Sequence, residues 1–341
     1  MARRSNPWND VDSPRLGLLS RVFGRRTPSA DTLSQESVFP LNRSDQRTLD
    51  PEFSGVIYTW DIDKTYLDTE FHSLSELLLT AVEFAVDKRA IAGTVPLLRG
   101  IRRGPTASSR LTPLYFVSAS PPQLRGVLER KMLLDGVDSD GVTLKDQLAL
   151  AMRGRFRQIK EQAGYKLTAL LLNRRAHPPR AHEILFGDDS ESDAFVYSTY
   201  ARILAGQLRG PDLVSALVAR GVTPDGAAHV ASLAHDLPVA DAVRRIFIHL
   251  AVGKPTVTVE REGPLVAATH SPLQPALALW EQGEIDEATV AQVLAAQARR
   301  GGDAVLGAIE QIEDAAARGL VTAATATHWL SSGLASPQAT G

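Results

Sequence analysis

The chain has no cysteine among its 341 residues. That excludes disulfides and thiol chemistry and fits a reducing compartment. It also lacks a dominant charge: 37 Lys and Arg against 39 Asp and Glu leave a formal net charge of −2. No global field points to nucleic acid, and no nucleic-acid partner is expected. No apolar run approaches the ~18 residues of a membrane-spanning helix. The first residues lack the uninterrupted apolar centre of a secretory signal. These absences lead to the expectation of a cytoplasmic protein. No G-x-x-x-x-G-K-[ST] phosphate loop occurs. The eight histidines are scattered, and His177 and His182, flanking Pro178-Pro179, make a poor metal pair.

The length allows one large domain or two modest ones. Residues 1–50 are polar and rich in Ser, Arg, Asp and Pro, which predicts a disordered tail. Within it, Leu18, Leu19, Val22 and Phe23 have helical spacing among arginines, and residues 1–27 hold six Arg against two Asp. Segment 15–26 thus suits peripheral contact with an anionic membrane surface; the alternative is a solvated tail or one docked on its own domain. Residues 51–258 alternate short apolar runs with helical patterns, which predicts an α/β domain with a mainly parallel sheet. Strands are expected at 53–61, 114–119, 141–144, 183–187 and about 245–251, and helices at 73–90, 121–134, 166–173 and 194–208. Residues 210–244 read as a helical insert. Residues 259–341 read as an Ala-rich helical extension broken at Gly283, Gly301-Gly302 and Gly319. It either packs on the core or docks a partner, which the sequence does not identify.

The densest chemical signal is the run Tyr58-Thr59-Trp60-Asp61-Ile62-Asp63-Lys64-Thr65. An apolar stretch from Val56 delivers two aspartates spaced i, i+2, so extended chain turns both to one side. Three further elements follow in order. Leu114–Ser118 is an apolar strand ending in a hydroxyl. Gly164-Tyr165-Lys166 opens a helix with a lysine. Glu183–Gly187 is an apolar strand leading into Asp188, Asp189, Glu191 and Asp193. On elementary grounds the last cluster also suits the start of a helix at 194, with Ser192 or Asp193 as cap.

Asp, Ser, Lys and Asp at successive element ends resemble the four motifs of the haloacid dehalogenase superfamily. The sequence Ser118-Ala119-Ser120-Pro121-Pro122-Gln123-Leu124, then Lys166, then Gly187-Asp188 with Glu191 and Asp193, is similar to the catalytic domain of the actin-patch-associated phosphatidate phosphatases. The resemblance covers about residues 50–205. Lys64, Asp189 and Ser190 depart from that family's pattern, while the four chemical positions stay intact. The resemblance implies a Rossmannoid, haloacid dehalogenase-like α/β fold with flanking helices and a minimal cap, since the insert between the first two motifs is short. It implies a Mg²⁺-dependent phosphomonoester hydrolase. Asp61 would be the nucleophile, Asp63 the general acid and base, Ser118 a holder of a phosphoryl oxygen and Lys166 the charge-offsetting lysine. Asp61, Asp188 and the carbonyl of Asp63 would bind Mg²⁺, with Asp193, favoured by spacing, or Asp189 as the further acid.

Phosphatidate or a related phospholipid is the favoured substrate class. A soluble phosphate ester is the alternative within the enzyme class. A scaffold working through its helical C-terminal region is the alternative outside it. The arginines at 99, 102, 103 and 110 either hold an anionic substrate or belong to a solvated loop.

Overall fold

The run Val-Ile-Tyr-Thr-Trp-Asp is β-branched and aromatic, and it forms β2 (Val56–Asp61), buried along its whole length. In a computed structural model the described residues are 38–67, 90–106, 111–152, 154, 161–189, 192–251, 254–299 and 304–332. Segment 15–26, the helix expected at 73–90, Arg110 and Glu191 lie outside them. Six further strands are β1 (Leu41–Asp45), β3 (Leu114–Ser118), β4 (Gly141–Lys145), β5 (His182–Asp188), β6 (Val243–His249) and β7 (Val266–Thr269). Together they form a seven-stranded sheet in the order β1-β4-β3-β2-β5-β6-β7. β1 runs antiparallel to β4, and every other pair is parallel.

The chain leaves β2 for β3 and β4 on one side and later returns through β5 to the other. The C-terminal end of β2 is therefore a topological switch point, where open parallel sheets bind ligands.

Helices cover both faces. On one lie α1 (Thr94–Arg103), α2 (Arg125–Leu134), α9 (Leu273–Glu281), α10 (Glu287–Ala298), α11 (Ala304–Ala317) and α12 (Ala323–Ser332), packed on Trp60, Phe116, Phe186 and Phe247. On the other lie α4 (Gln162–Ala176), α5 (Asp193–Leu204), α6 (Gly210–Ala219), α7 (Pro224–His235) and α8 (Val257–Glu260), packed on Leu185, Ile246 and Ile248. The short helix α3 (Gln147–Met152) follows β4. No helix among the described residues is long and apolar enough to cross a membrane.

Two elements depart from the sequence reading. β1 lies inside the stretch expected to be disordered. Its polar sequence Leu-Asn-Arg-Ser-Asp has no period; the open edge of β4 recruits it. Arg125 ties it down, donating to the Asn42 carbonyl at 2.8 Å and to Ser44 Oγ at 2.7 Å. β7 lies in the stretch read as an Ala-rich helical extension. Its Val-Ala-Ala-Thr sequence has weak strand propensity, and burial beside β6 decides its conformation. Of the expected glycine breaks in the helices that follow, Gly283 and Gly319 lie between helices at φ 71° and 68°, and Gly301-Gly302 lies outside the described residues.

The C-terminal helices are welded to the domain by a close crossing. A Cβ on Gly100 of α1 would lie 2.1 Å from Thr289 Cγ2 of α10. Next to it, Arg103 donates to Asp286 at 2.8 Å, and Asp286 caps α10 by accepting from Thr289 N. Gly100→Ala is expected to cost about 1–3 kcal/mol through overpacking, read as a lower urea midpoint; an unchanged midpoint would mean the helices slide apart freely.

Candidate active site

Asp61 is the last residue of β2 and is 1% exposed. The strand stops there, so Asp63 sits two residues beyond it, on a tight turn. That turn closes through Lys64 N to Leu67 O at 2.8 Å and Leu67 N to Ile62 O at 2.9 Å. Lys64 takes φ 55°, a left-handed conformation that Asn and Asp adopt more readily than Lys. The two aspartates reach one site by strand end plus turn, not by strand alternation alone.

β3 runs beside β2 and ends at Ser118. Ser118 Oγ donates to Asp63 Oδ2 at 3.0 Å, and Ser120 Oγ donates to the same oxygen at 3.3 Å. The backbone N–H of Ser120 in turn donates to Ser118 Oγ at 3.0 Å. The Tyr165 hydroxyl donates to the Ser118 carbonyl at 2.5 Å, which pins this loop to α4. Ser120 was not singled out from sequence, although its i, i+2 relation to Ser118 carried the signal.

Lys166, in the second turn of α4, is fully buried. Its ammonium lies 2.9 Å from Asp61 Oδ1 and 2.5 Å from Asp193 Oδ1. Asp193 opens α5, where its charge suits the helix dipole. Its second oxygen accepts the N–H of Asp188 at 3.3 Å. Asp193 thus links Lys166 to the backbone at the end of β5. Gly187 makes that contact possible, because a Cβ there would lie 2.4 Å from Asp193 Oδ2. Ser192 occupies the cap position without a capping bond from its side chain. Beneath the cluster, burial first and then the charge of Asp193 hold the Tyr197 hydroxyl well above its usual pKa, so it stays protonated and donates to the Phe186 carbonyl at 3.3 Å.

Asp188 ends β5, directly beside His249 of β6. Asp189 points to the loop after β6: its Oδ1 accepts from Ala251 N at 3.1 Å and its Oδ2 lies 2.9 Å from Lys254 Nζ. No sequence pattern foretold that partner. The arginines at 99, 102 and 103 lie elsewhere. Arg102 pairs with Asp140 at 2.5 Å and donates to the carbonyl of Thr112, just ahead of β3. Arg103 pairs with Asp286, and Arg99 donates to the Asp135 carbonyl at 2.6 Å. These three are structural ties at the opposite end of the sheet.

Asp61 and Asp193 therefore flank Lys166 at the strand ends, with Asp63 held by Ser118 and Ser120 and Asp188 joined to Asp193. The side chains of Asp61 and Asp188 and the carbonyl of Asp63 are the oxygen donors at the strand ends that would hold a hard cation. Magnesium takes one or two carboxylates from a protein and keeps several waters. Among the described residues no group of three or more His, Cys, Asp or Glu is placed to hold a metal ion.

Residues 56–210 match the family model described as phosphatidate phosphatase APP1, catalytic domain. The matched stretch contains Asp61, Asp63, Ser118, Lys166, Asp188 and Asp193, and it ends before β6, β7 and the C-terminal helices. No curated protein and no solved structure gives a significant match.

Proposed function

From that match and the cluster at the strand ends, we propose that the chain is a phosphomonoester phosphatase of haloacid dehalogenase type, with phosphatidate as its substrate. The observation that carries the reading is the buried pair of Lys166 and Asp61 at 2.9 Å, beside Asp63 held by two serine hydroxyls.

The chemistry proceeds in two displacements. A carboxylate oxygen of Asp61 attacks phosphorus, forming an acyl phosphate as the phosphorus–alkoxide bond breaks. Asp63 delivers its proton to the leaving oxygen. Water then attacks the phosphoryl group, Asp63 takes its proton, and phosphate leaves with the Asp61 carboxylate restored. Ser118 donates to a phosphoryl oxygen, and Lys166 offsets charge on the nucleophile and on the phosphoryl group. Asp61, Asp188 and the Asp63 carbonyl, with Asp193 or Asp189 behind them, would hold Mg²⁺, which would supply positive charge to offset that of the phosphate. The engagement of Asp193 with Lys166 and of Asp189 with Lys254 suits a supporting role for either acid.

The test is phosphate release, with Mg²⁺ and with a chelator, from phosphatidate in mixed micelles, lysophosphatidate, sugar phosphates, nucleotides and p-nitrophenyl phosphate. Release from phosphatidate that stops on chelation is expected. Release from soluble esters alone would keep the chemistry and discard the lipid. No release from any substrate would overturn the reading.

A further inference from the structure

Three buried polar atoms have no hydrogen-bond partner among the described residues and share one location: Trp60 Nε1, Thr65 Oγ1 and Thr94 Oγ1. Their residues are 2%, 4% and 0% exposed. The three residues line one recess of about 20 Å³, room for one or two water-sized groups, with a mouth open to solvent. Orphaned buried donors are costly, on the order of 1–3 kcal/mol each, and three on residues that line one recess point to an acceptor there.

The recess adjoins the candidate active site through the chain itself. Trp60 precedes Asp61, Thr65 follows Asp63 by two residues, and Gly187, also in its wall, precedes Asp188. Its floor is aromatic: Trp60 stacks on Phe186 at 3.9 Å between ring centroids, and Phe186 meets Phe247 at 5.0 Å. Pro272, from the segment leading into α9, closes one side.

This chemistry selects a ligand class. Indole Nε1 only donates, so it needs an acceptor. Among the described residues no lysine or arginine lines the recess and its one titratable side chain is the His249 imidazole, so an anionic group would be buried without a permanent counter-charge. A neutral carbonyl oxygen fits both conditions, and apolar walls suit methylenes beside it. We propose that this recess is the subsite for an ester carbonyl of an acylated phosphate monoester, with Trp60, Thr65 and Thr94 as its donors. The proposal rests on the phosphatase reading for what occupies the neighbouring strand ends. The acyl chain continues outward through the mouth, since the recess holds little more than the carbonyl. Phe247 and Pro272 lie beyond the family-matched residues, so the C-terminal part of the chain helps to select the substrate.

The experiment compares dihexanoyl phosphatidate with its dihexyl ether analogue, in which methylenes replace the carbonyls. Binding is measured by calorimetry with Mg²⁺ in the Asp61→Asn variant, so that turnover does not intrude. The ester is expected to bind about 5- to 10-fold more tightly, the worth of one or two net hydrogen bonds. Adding Trp60→Phe, which keeps the ring and removes the N–H, should bring that ratio toward one. Thr94→Val, which keeps the shape and removes the hydroxyl, does the same if the indole change perturbs folding. Equal affinities would overturn the proposal and leave the recess to an ordered water only. Failure of both lipids to bind, while wild type still hydrolyses p-nitrophenyl phosphate, would overturn the recess and spare the phosphatase reading. An ester preference in binding without phosphate release from any substrate would uphold the recess and sink the phosphatase reading.

Discussion

Asp61→Asn is expected to abolish phosphate release, a loss of about 10⁴-fold or more in kcat, as for removal of a nucleophile, with no fall in the thermal midpoint. Asn has the volume of Asp and keeps a carbonyl oxygen toward Lys166, 2.9 Å away. Its amide does not form an acyl phosphate. The lysine is not stranded, because Asp193 still lies 2.5 Å from its ammonium. One negative charge also leaves a cluster of four carboxyl groups, which relieves repulsion and pushes stability upward. Such a trade of stability for activity is common at active sites. Lys166→Met should behave differently: it strips the one cation between two buried carboxylates, so activity and stability fall together. Phosphate release and thermal melts of the two variants measure both effects. Full turnover by Asp61→Asn would falsify the assignment of the nucleophile.

The parts of this site that were legible in the sequence share a physical cause. β2, β3 and β5 are apolar runs that pass through the buried centre of a parallel sheet, so their polar terminators, Asp61, Ser118 and Asp188, mark where each strand ends. Lys166 was legible from the order of the motifs. Its exact partners were not, since only the folded α4 and α5 bring its ammonium to both Asp61 and Asp193. Asp63 was legible as a site residue but not as a residue of a turn, because a two-residue period says nothing about where a strand stops. β1 and β7 carried no usable pattern, one being polar and edge-recruited, the other Ala-rich and stabilised by burial. The recess was invisible for the same reason that long-range contacts are: residues 60, 94, 186, 247 and 272 meet only through the sheet order.

The second large effect lies at the opposite end of β5. Glu183 is 2% exposed near the start of the strand. Arg174 donates to it at 3.2 Å, the Tyr200 hydroxyl donates at 2.8 Å, and His177 Nδ1 lies 3.8 Å away. Arg174 also donates to the carbonyls of Ala181 and Pro179, each at 2.8 Å, so one buried guanidinium ties the end of α4 to the loop that enters β5. Glu183→Gln leaves that guanidinium without its counter-charge, and breaking a buried pair from one side costs about 3–5 kcal/mol. The double variant Glu183→Leu with Arg174→Met removes both charges and should cost less than the single change.

The pair also sets an acid limb to stability. Burial alone would raise the Glu183 pKa, but His177, Arg174 and Tyr200 outweigh it and hold the carboxyl below its usual 4.5. A folded value below the unfolded one gives stability that is present above about pH 4.5 and is lost as pH falls through the folded value. The gap between wild type and Glu183→Gln should therefore be widest at neutral pH and narrow in acid. Urea midpoints at several pH values between 7 and 3 measure this, and parallel curves would refute it. Because the pair sits a full strand length from Asp188, the surviving folded fraction of Glu183→Gln should keep its phosphate-releasing activity per folded molecule. One charge cluster at the entry of β5 thus ties the fold together, and the proposed chemistry belongs to a separate one at the exit.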